Sequence, residues 1–340
     1  MEIFLRRGER AAPLGAVVFL VMMCALPAGA QVPVDTTALP RDTADTVSIL
    51  SSARAGISAD SVVSADSRAN RCGHSRAEIT RRRVGVAAAF IGGNAALYSY
   101  MKNAWWSGEE ADGFFFNADW DEDFRDQDKF GHFFGGYHLA RFGAAFLRSA
   151  CMSKPKAIAW SAAYAAAFQL QIEIWDAKFV KYGFSYPDLL SNTLGTALAV
   201  VHETNPRTRA IRPTISYWRS AAMRNRDNIP GELRPTLDYS GQTYWLSADI
   251  DALLPPAAKP FWPSFLRFSA GHSITDWIDP LTGANIRAKR KIVLTIDFDA
   301  EKLPGENRFW KTFKRQLGYI HLPSPALVLT PDLELVGWYK

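Results

Sequence analysis

The chain has 340 residues, with 39 Lys and Arg against 34 Asp and Glu, a formal net charge of +5, and 13% aromatic residues. So mild a basic excess gives no electrostatic ground for nucleic-acid binding, whose affinity comes from neutralised phosphates. No P-loop, dinucleotide fingerprint, G-x-S-x-G or H-E-x-x-H occurs, so no nucleotide partner is expected and ordinary hydrolase chemistry has no motif to rest on.

Residues 1–30 have the three parts of a secretory signal: Arg6, Arg7 and Arg10 in front, an apolar run from Leu14 to Leu26, and Ala28-Gly29-Ala30 as a small-residue cleavage site. The run is shorter than the ~20 residues of a spanning helix, so a cleaved signal peptide is expected rather than an anchor. Met22 and Met23 precede Cys24, where a lipid-attachment signal has a small residue. Residues 31–74 form a disordered tether: from Gln31 to Asn70 no aromatic residue occurs, and such a segment buries too little surface to offset its ordering entropy. Cys72 and Cys151 remain after cleavage; an oxidising compartment allows them to pair, and the sequence leaves their redox state open.

Residues 75–205 read as four helices in a bundle-like domain. Ser75-Arg76-Ala77-Glu78 is a capping box that starts the first, which continues to about Met101. A loop rich in aromatics and acids follows; its Trp105, Trp106 and Phe114–Phe116 either anchor the chain at a membrane interface or cover one end of the core. The second helix spans about Asp126 to Ala150. The third runs from the Pro155 break to about Tyr182. The fourth begins at Ser185-Tyr186-Pro187-Asp188, a capping-box-like start with proline in its first turn, and ends near His202. Residues 206–340 change period: alternation over Thr236–Ile250, Phe265–His272 and Lys291–Phe298 predicts strands, separated by proline-rich stretches at Pro255–Pro263 and Pro323–Pro325. The fold class is therefore α+β, a four-helix bundle-like domain followed by a small antiparallel β-rich part. Arg207, Arg209, Arg212, Arg219, Arg224 and Arg226 crowd its start and are expected on a solvated surface, with anionic lipid as the alternative.

Residues four and seven apart share a helix face. That relation joins Asp128, His132 and Gly135 in the second helix, Gln169, Glu173 and Asp176 in the third, and Asp188, Asn192 and Gly195 in the fourth. Each set interrupts a mostly apolar helix, so the three stripes are expected to converge as a polar seam, with Gly135 and Gly195 allowing close approach. Asp128 and Asp188 also have a simpler account as first-turn acids on a helix dipole. Glu173 has none, and Lys129 or His132 are its candidate partners. His138 is turned about 120° from His132 and is expected to be partly exposed. The residue types suit either a buried hydrogen-bond network or a divalent-metal site, with His132, Glu173 and Asp176 as the candidate ligands. Asp119–Asp123 begins like a calcium loop but lacks its glycine and final glutamate.

The order D-K-x-x-H at Asp128–His132, E-x-x-D at Glu173–Asp176 and G-F-S-x-x-D-x-x-x-N-x-x-G from Gly183 to Gly195 resembles the YfiM-like predicted periplasmic lipoprotein family, a family of unknown function. The likeness extends over about residues 80–340. A looser similarity in motif order reaches the VanZ-like membrane proteins, which span the bilayer and lack this exported C-terminal part. The resemblance implies a location and a motif but no reaction.

Charges in the second and third helices, each costing on the order of 2.5–3.5 kcal/mol at membrane depth, favour a soluble or peripherally attached bundle over an integral one. The expected function is a non-catalytic binding or structural role in the cell envelope, in the periplasm or at the outer membrane. An envelope component or membrane surface is the partner, and no cofactor is expected unless a divalent metal. The alternatives are a metal-assisted hydrolase or transferase acting on lipid-linked or glycan phosphates, and a VanZ-like integral membrane bundle.

Overall fold

A computed structural model describes residues 72–106, 108–225 and 234–340. The expected signal peptide, the expected tether up to residue 71, and Arg226 lie outside the described residues. Among those described, seven helices and eight strands follow one another as α1 (Arg76–Ala104), β1 (Phe116–Asn117), α2 (Gln127–Ser149), α3 (Lys154–Asp176), β2 (Phe184–Ser185), α4 (Tyr186–Thr204), β3 (Ile211–Tyr217), α5 (Ala221–Arg224), β4 (Gln242–Ala248), α6 (Ile250–Leu253), β5 (Leu266–Ile274), β6 (Arg290–Phe298), α7 (Arg308–Leu317), β7 (Ser324–Val328) and β8 (Glu334–Tyr339).

Three helices carry the helical core. Tyr137, Ala140, Ala165 and Ala199 from α2, α3 and α4 meet Tyr319 in a buried cluster, and alanine at these contacts lets the backbones approach. At Gly195 on α4 a methyl group would run into the Phe133 carbonyl of α2. The second crossing glycine is Gly136, where a Cβ would lie 2.5 Å from the Asn192 carbonyl oxygen. Gly135, the glycine expected to pack closely, would meet nothing nearer than Gln169 Oε1 at 3.9 Å. The seven-residue offset from Asp128 was the wrong guide there: the contact faces α4, and Gly136, four residues beyond His132, points that way.

The helix α1 starts as its sequence dictates, with Ser75 Oγ accepting the Glu78 amide at 3.2 Å, but none of its residues is buried. It lies along the edge of α2–α4 through a half-buried stripe that includes Phe90, edge-on to Tyr164 at 4.8 Å, and Tyr98 against Trp175. The helical part is thus three packed helices with a fourth flanking them. A disulfide between Cys72 and Cys151 ties the start of α1 to the end of α2. By length and composition α1 is also the one helix among the described residues that could cross a membrane. Trp106 is buried against Trp175, whereas Phe114 and Phe116 stay exposed beside Tyr186 and Phe184.

The C-terminal part is a six-stranded antiparallel sheet in sequence order, β3 to β8. Three of its strands show the expected alternation. The others are β3, β7 and β8, of which β3 and β7 escape a sequence reading because Pro213 and Pro325 fall inside them and proline argues against a strand. Both positions are tolerable: Pro213 lies in an end strand of the sheet, and Pro325 lies at a bulge in the β7–β8 pairing. The free side of β3 is met by the segment at Ile320 through a parallel bridge to Ile215. Loop acids then join the sheet to the helices: Asp121 and Asp126 pair with Arg290 at 2.8 and 2.6 Å, and Gln127 Nε2 donates to the Gln242 carbonyl at 2.9 Å. One of the expected surface arginines behaves differently: Arg212 is buried and paired with Asp299 at 3.3 Å and with Glu301.

Candidate functional site

The seam forms where the N-terminal ends of α2 and α4 meet the C-terminal end of α3. Ser185 caps α4, its Oγ accepting the Asp188 amide at 3.1 Å while donating to Asp119 Oδ1 at 2.6 Å. This fixes Asp188 in the first turn and draws the preceding aromatic loop, which carries Asp119, onto the helix ends. The short parallel pairing of β1 with β2 holds that loop in place.

Two linked clusters result. In the first, Lys129 Nζ sits among three carboxylates, 2.6 Å from Asp119 Oδ2, 2.8 Å from Asp128 Oδ2 and 3.3 Å from Asp188 Oδ1. In the second, His132 Nδ1 is 3.1 Å from Asn192 Oδ1 and 3.6 Å from Glu173 Oε1, its Nε2 is 3.7 Å from Asp188 Oδ2, and Asn192 Nδ2 donates to Glu173 Oε1 at 3.2 Å. Asp188 belongs to both. The Glu173 side chain is 1% exposed, whereas that of His132 is 23% exposed, so solvent reaches the seam along the imidazole.

The expected residues are therefore mostly brought together, but with different roles. Glu173 takes His132 and Asn192 as neighbours, and Lys129 is committed to the aspartates. Asp176 leaves the cluster: its Oδ1 accepts the Trp106 indole N–H at 2.6 Å. Among the described residues, the groups of acids and histidines with ligand atoms within 4.8 Å of one another are His132, Glu173 and Asp188, and Asp119, Asp128 and Asp188, so Asp188 stands where spacing suggested Asp176. Gln169 is buried beside Gly136, within the packing of α2 on α3. Asp119 is the seam residue that sequence reasoning missed, because it lies on a loop where helical spacing gives no signal. His138 is buried, tilted against Phe134 and edge-on to Tyr137 and Tyr319 beside Arg141, and not partly exposed as expected. Its place is the contact with the Tyr319 segment, which nothing in the period of α2 reveals.

Burial dominates the electrostatics. It raises Glu173 to about 8, helped by Asp188 and Asp176 and opposed by His132. It raises Asp128 to about 7, with Asp188 adding and Lys129 opposing. It raises Asp176 to about 6 against the Trp106 hydrogen bond. For His132 burial disfavours the imidazolium, yet Asp188, Glu173 and Asp128 outweigh it and lift the ring to about 9. Lys129 behaves likewise: burial opposes its charge, and Asp128, Asp188 and Asp119 hold it above the ordinary lysine value. The seam thus keeps cations charged and a carboxyl protonated near neutrality, and Glu173 Oε2 is buried without a hydrogen-bond partner among the described residues.

The part of this α+β chain that holds the seam has a counterpart among known families. Residues 112–204 match the family described as "Predicted periplasmic lipoprotein (DUF2279)". The matched stretch begins in the aromatic loop, ends with α4 and contains every seam residue. Its description agrees with an exported protein of the periplasm or outer membrane and gives no reaction. The match stops short of the sheet, and the YfiM-like and VanZ-like likenesses lie beyond what it carries. No curated protein and no solved structure matches the chain.

Proposed function

We propose that this chain is a cell-envelope protein with a non-catalytic binding or structural role, held against a membrane, in which the seam locks α2, α3 and α4 into one register. The observation that carries this reading is internal matching: Lys129 is shared by three aspartates, and Asn192 bridges His132 to Glu173. The hydroxyl nearest the acids, Ser185 Oγ, is spent on a helix cap and Asp119. Charged groups tied to one another in this way specify packing. Contact with a membrane is supported by the outward faces of α3 and α4, where Trp160, Leu170, Ile174, Leu190, Leu194 and Val201 are exposed. The test is flotation of purified mature protein with lipid vesicles, combined with melting of Asn192→Ala. Vesicle association and a clear loss of stability are expected; a soluble protein, or an Asn192→Ala variant that melts like the parent, would overturn it.

A second reading has its own observation. The ligand atoms of His132, Glu173 and Asp188 lie close enough to hold one ion, and Glu173 Oε2 is free to serve it. A divalent cation there would act as a Lewis acid on lipid-linked or glycan phosphates. Elemental analysis of gently purified protein decides this: stoichiometric metal lost on His132→Ala supports it, and an absence of metal with no uptake on dialysis removes it.

A further inference from the structure

The exposed face of the six-stranded sheet is unusually apolar for a protein surrounded by water. In an antiparallel sheet with one wet face, polar side chains point to solvent and apolar ones to the core. Here the buried face is mixed: it carries Thr214, Ser247, Arg267, Ser269, Thr295 and Asp297 beside the apolar cluster of Trp245, Val293, Ala326 and Val328. Several of these polar groups are matched internally: Arg267 donates to Ser247 Oγ at 2.9 Å and to Asp299 Oδ2 at 3.2 Å, and the Thr295 and Ser324 hydroxyls share a bond of 2.8 Å, whereas the Thr214 and Ser269 hydroxyls are buried without a partner among the described residues. The opposite face carries Leu246, Phe268, Ile296, Phe298, Leu327 and Leu335, every one exposed. The cross-strand register puts them side by side, with Phe268 opposite Ile296, Leu246 opposite Ala270, and Leu327 opposite Leu335.

The same surface runs on over the connection between β4 and β5. Phe265 stacks on Phe298 with ring centroids 6.5 Å apart, and Leu253 and Phe261 beyond it are exposed, Phe261 to 87%. From Leu253 to Phe265 this connection is leucine, proline, alanine and aromatic residues with one serine, Ser264, a single charge, Lys259, and no acid. An apolar tip carrying one exposed lysine suits entry among lipid tails with the ammonium left at the phosphates.

We infer that this face of the sheet, together with the β4–β5 tip, is seated in the hydrocarbon of a lipid bilayer. The depth follows from the strands. On β5 the outward apolar positions run from Leu266 to Ala270, roughly 14 Å at about 3.4 Å per residue, which is half of a hydrocarbon core about 30 Å thick. The next outward residue, His272, is covered by Phe130 of α2, whose ring lies 4.3 Å away. The band therefore matches one leaflet and does not span. A partner protein would meet a patch with a polar rim, whereas here the exposed apolar row runs from Leu335 over all five strands from β8 to β4, and the charges beside the tip, Asp251 and Lys302, are paired with each other at 4.0 Å.

The inference rests on the membrane contact proposed above and adds which surface enters. The experiment uses full mature protein with its native disulfide and single spin-labelled cysteines at Phe268→Cys, Ile296→Cys and, at the exposed turn following β5, Thr282→Cys. The variants are bound to vesicles of phosphatidylethanolamine and phosphatidylglycerol, and each label's collision with oxygen and with a water-soluble nickel chelate is measured. Labels at 268 and 296 should meet oxygen in preference to nickel, and the label at 282 the reverse. Vesicle-bound protein whose 268 and 296 labels meet nickel freely would overturn this inference and leave the membrane reading standing. Labels shielded from both reagents would show a second copy of the chain on the face, and would also overturn it. Protein that fails to bind vesicles removes both. In addition, Phe261→Asp should weaken vesicle partition about tenfold without shifting the melting temperature in detergent; an unchanged partition counts against the tip.

Discussion

His132 stands 3.6 Å from Glu173, an imidazole at the seam's edge facing a carboxyl at its centre. Both groups bind protons more tightly in the folded chain, His132 up to about 9 and Glu173 up to about 8, and Asp128 up to about 7 follows them. Groups with raised folded values stabilise the fold while protonated and lose that contribution as pH rises. His138, His202, His272 and His321 act oppositely, because burial lowers them, to about 4 for the last three, so their contribution is lost as pH falls below the ordinary histidine value. Between about pH 6.5 and 9 the first group titrates in the folded state, while the lowered histidines stay neutral. Melting temperature should therefore fall across that window, and Glu173→Gln should flatten the slope. A melting temperature that rises from neutral pH to 9 would contradict the arrangement.

Removing Lys129 leaves Asp119, Asp128 and Asp188 facing one another with their side chains no more than 10% exposed. Breaking a buried pair by deleting one partner costs about 3–5 kcal/mol, because the remaining charge is uncompensated. Lys129→Met should lose stability on that scale at pH 8. It should recover much of it near pH 5, where Asp128, raised to about 7 even with Lys129 opposing, takes up a proton. Chemical denaturation at the two pH values checks this, and an equal loss at both would mean that the charge is compensated elsewhere.

What sequence could reveal of this site followed the rules of one helix at a time. Spacing within α2, α3 and α4 brought out Asp128, His132, Glu173, Asp188 and Asn192, because a polar residue in an apolar helix must face something polar. Choices between helices were not legible: whether Asp176 or Asp188 faces His132, and whether Gly135 or Gly136 meets α4, depend on crossing angle and end-to-end offset. Loop residues gave no period at all, which hid Asp119. In the sheet, alternation located β4, β5 and β6 but is blind to which face is buried. The natural assumption that the apolar face lies inside is the reverse of what the structure has at Phe268 and Ser269.

Gly195 and Gly135 make a matched pair for the packing of α2 on its neighbours. A Cβ at Gly195 meets the Phe133 carbonyl and the Tyr137 amide, backbone that cannot move aside, whereas at Gly135 the nearest atom is 3.9 Å away. Gly195→Ala should destabilise by about 1–3 kcal/mol or more, the usual range for overpacking. Gly135→Ala should be neutral or gain up to about 1 kcal/mol from helix propensity. Equal effects in thermal or urea unfolding would place the close approach somewhere other than Gly195.

The disulfide between Cys72 and Cys151 spans a sequence separation of 79 residues. In a chain-entropy account, closing a loop of that size stabilises by about 4 kcal/mol, provided that the whole loop folds as one unit with the rest. It does not enclose such a unit: α1 has no buried residue, and α2, α3 and α4 form their core without it. Cleaving the bond should therefore release α1 locally rather than unfold the seam. Hydrogen exchange on reduced and oxidised protein reads the difference, with amides of residues 76–104 expected to lose protection on reduction while those around Glu173 and Asn192 keep theirs. Simultaneous loss in both regions would show that α1 belongs to the cooperative core.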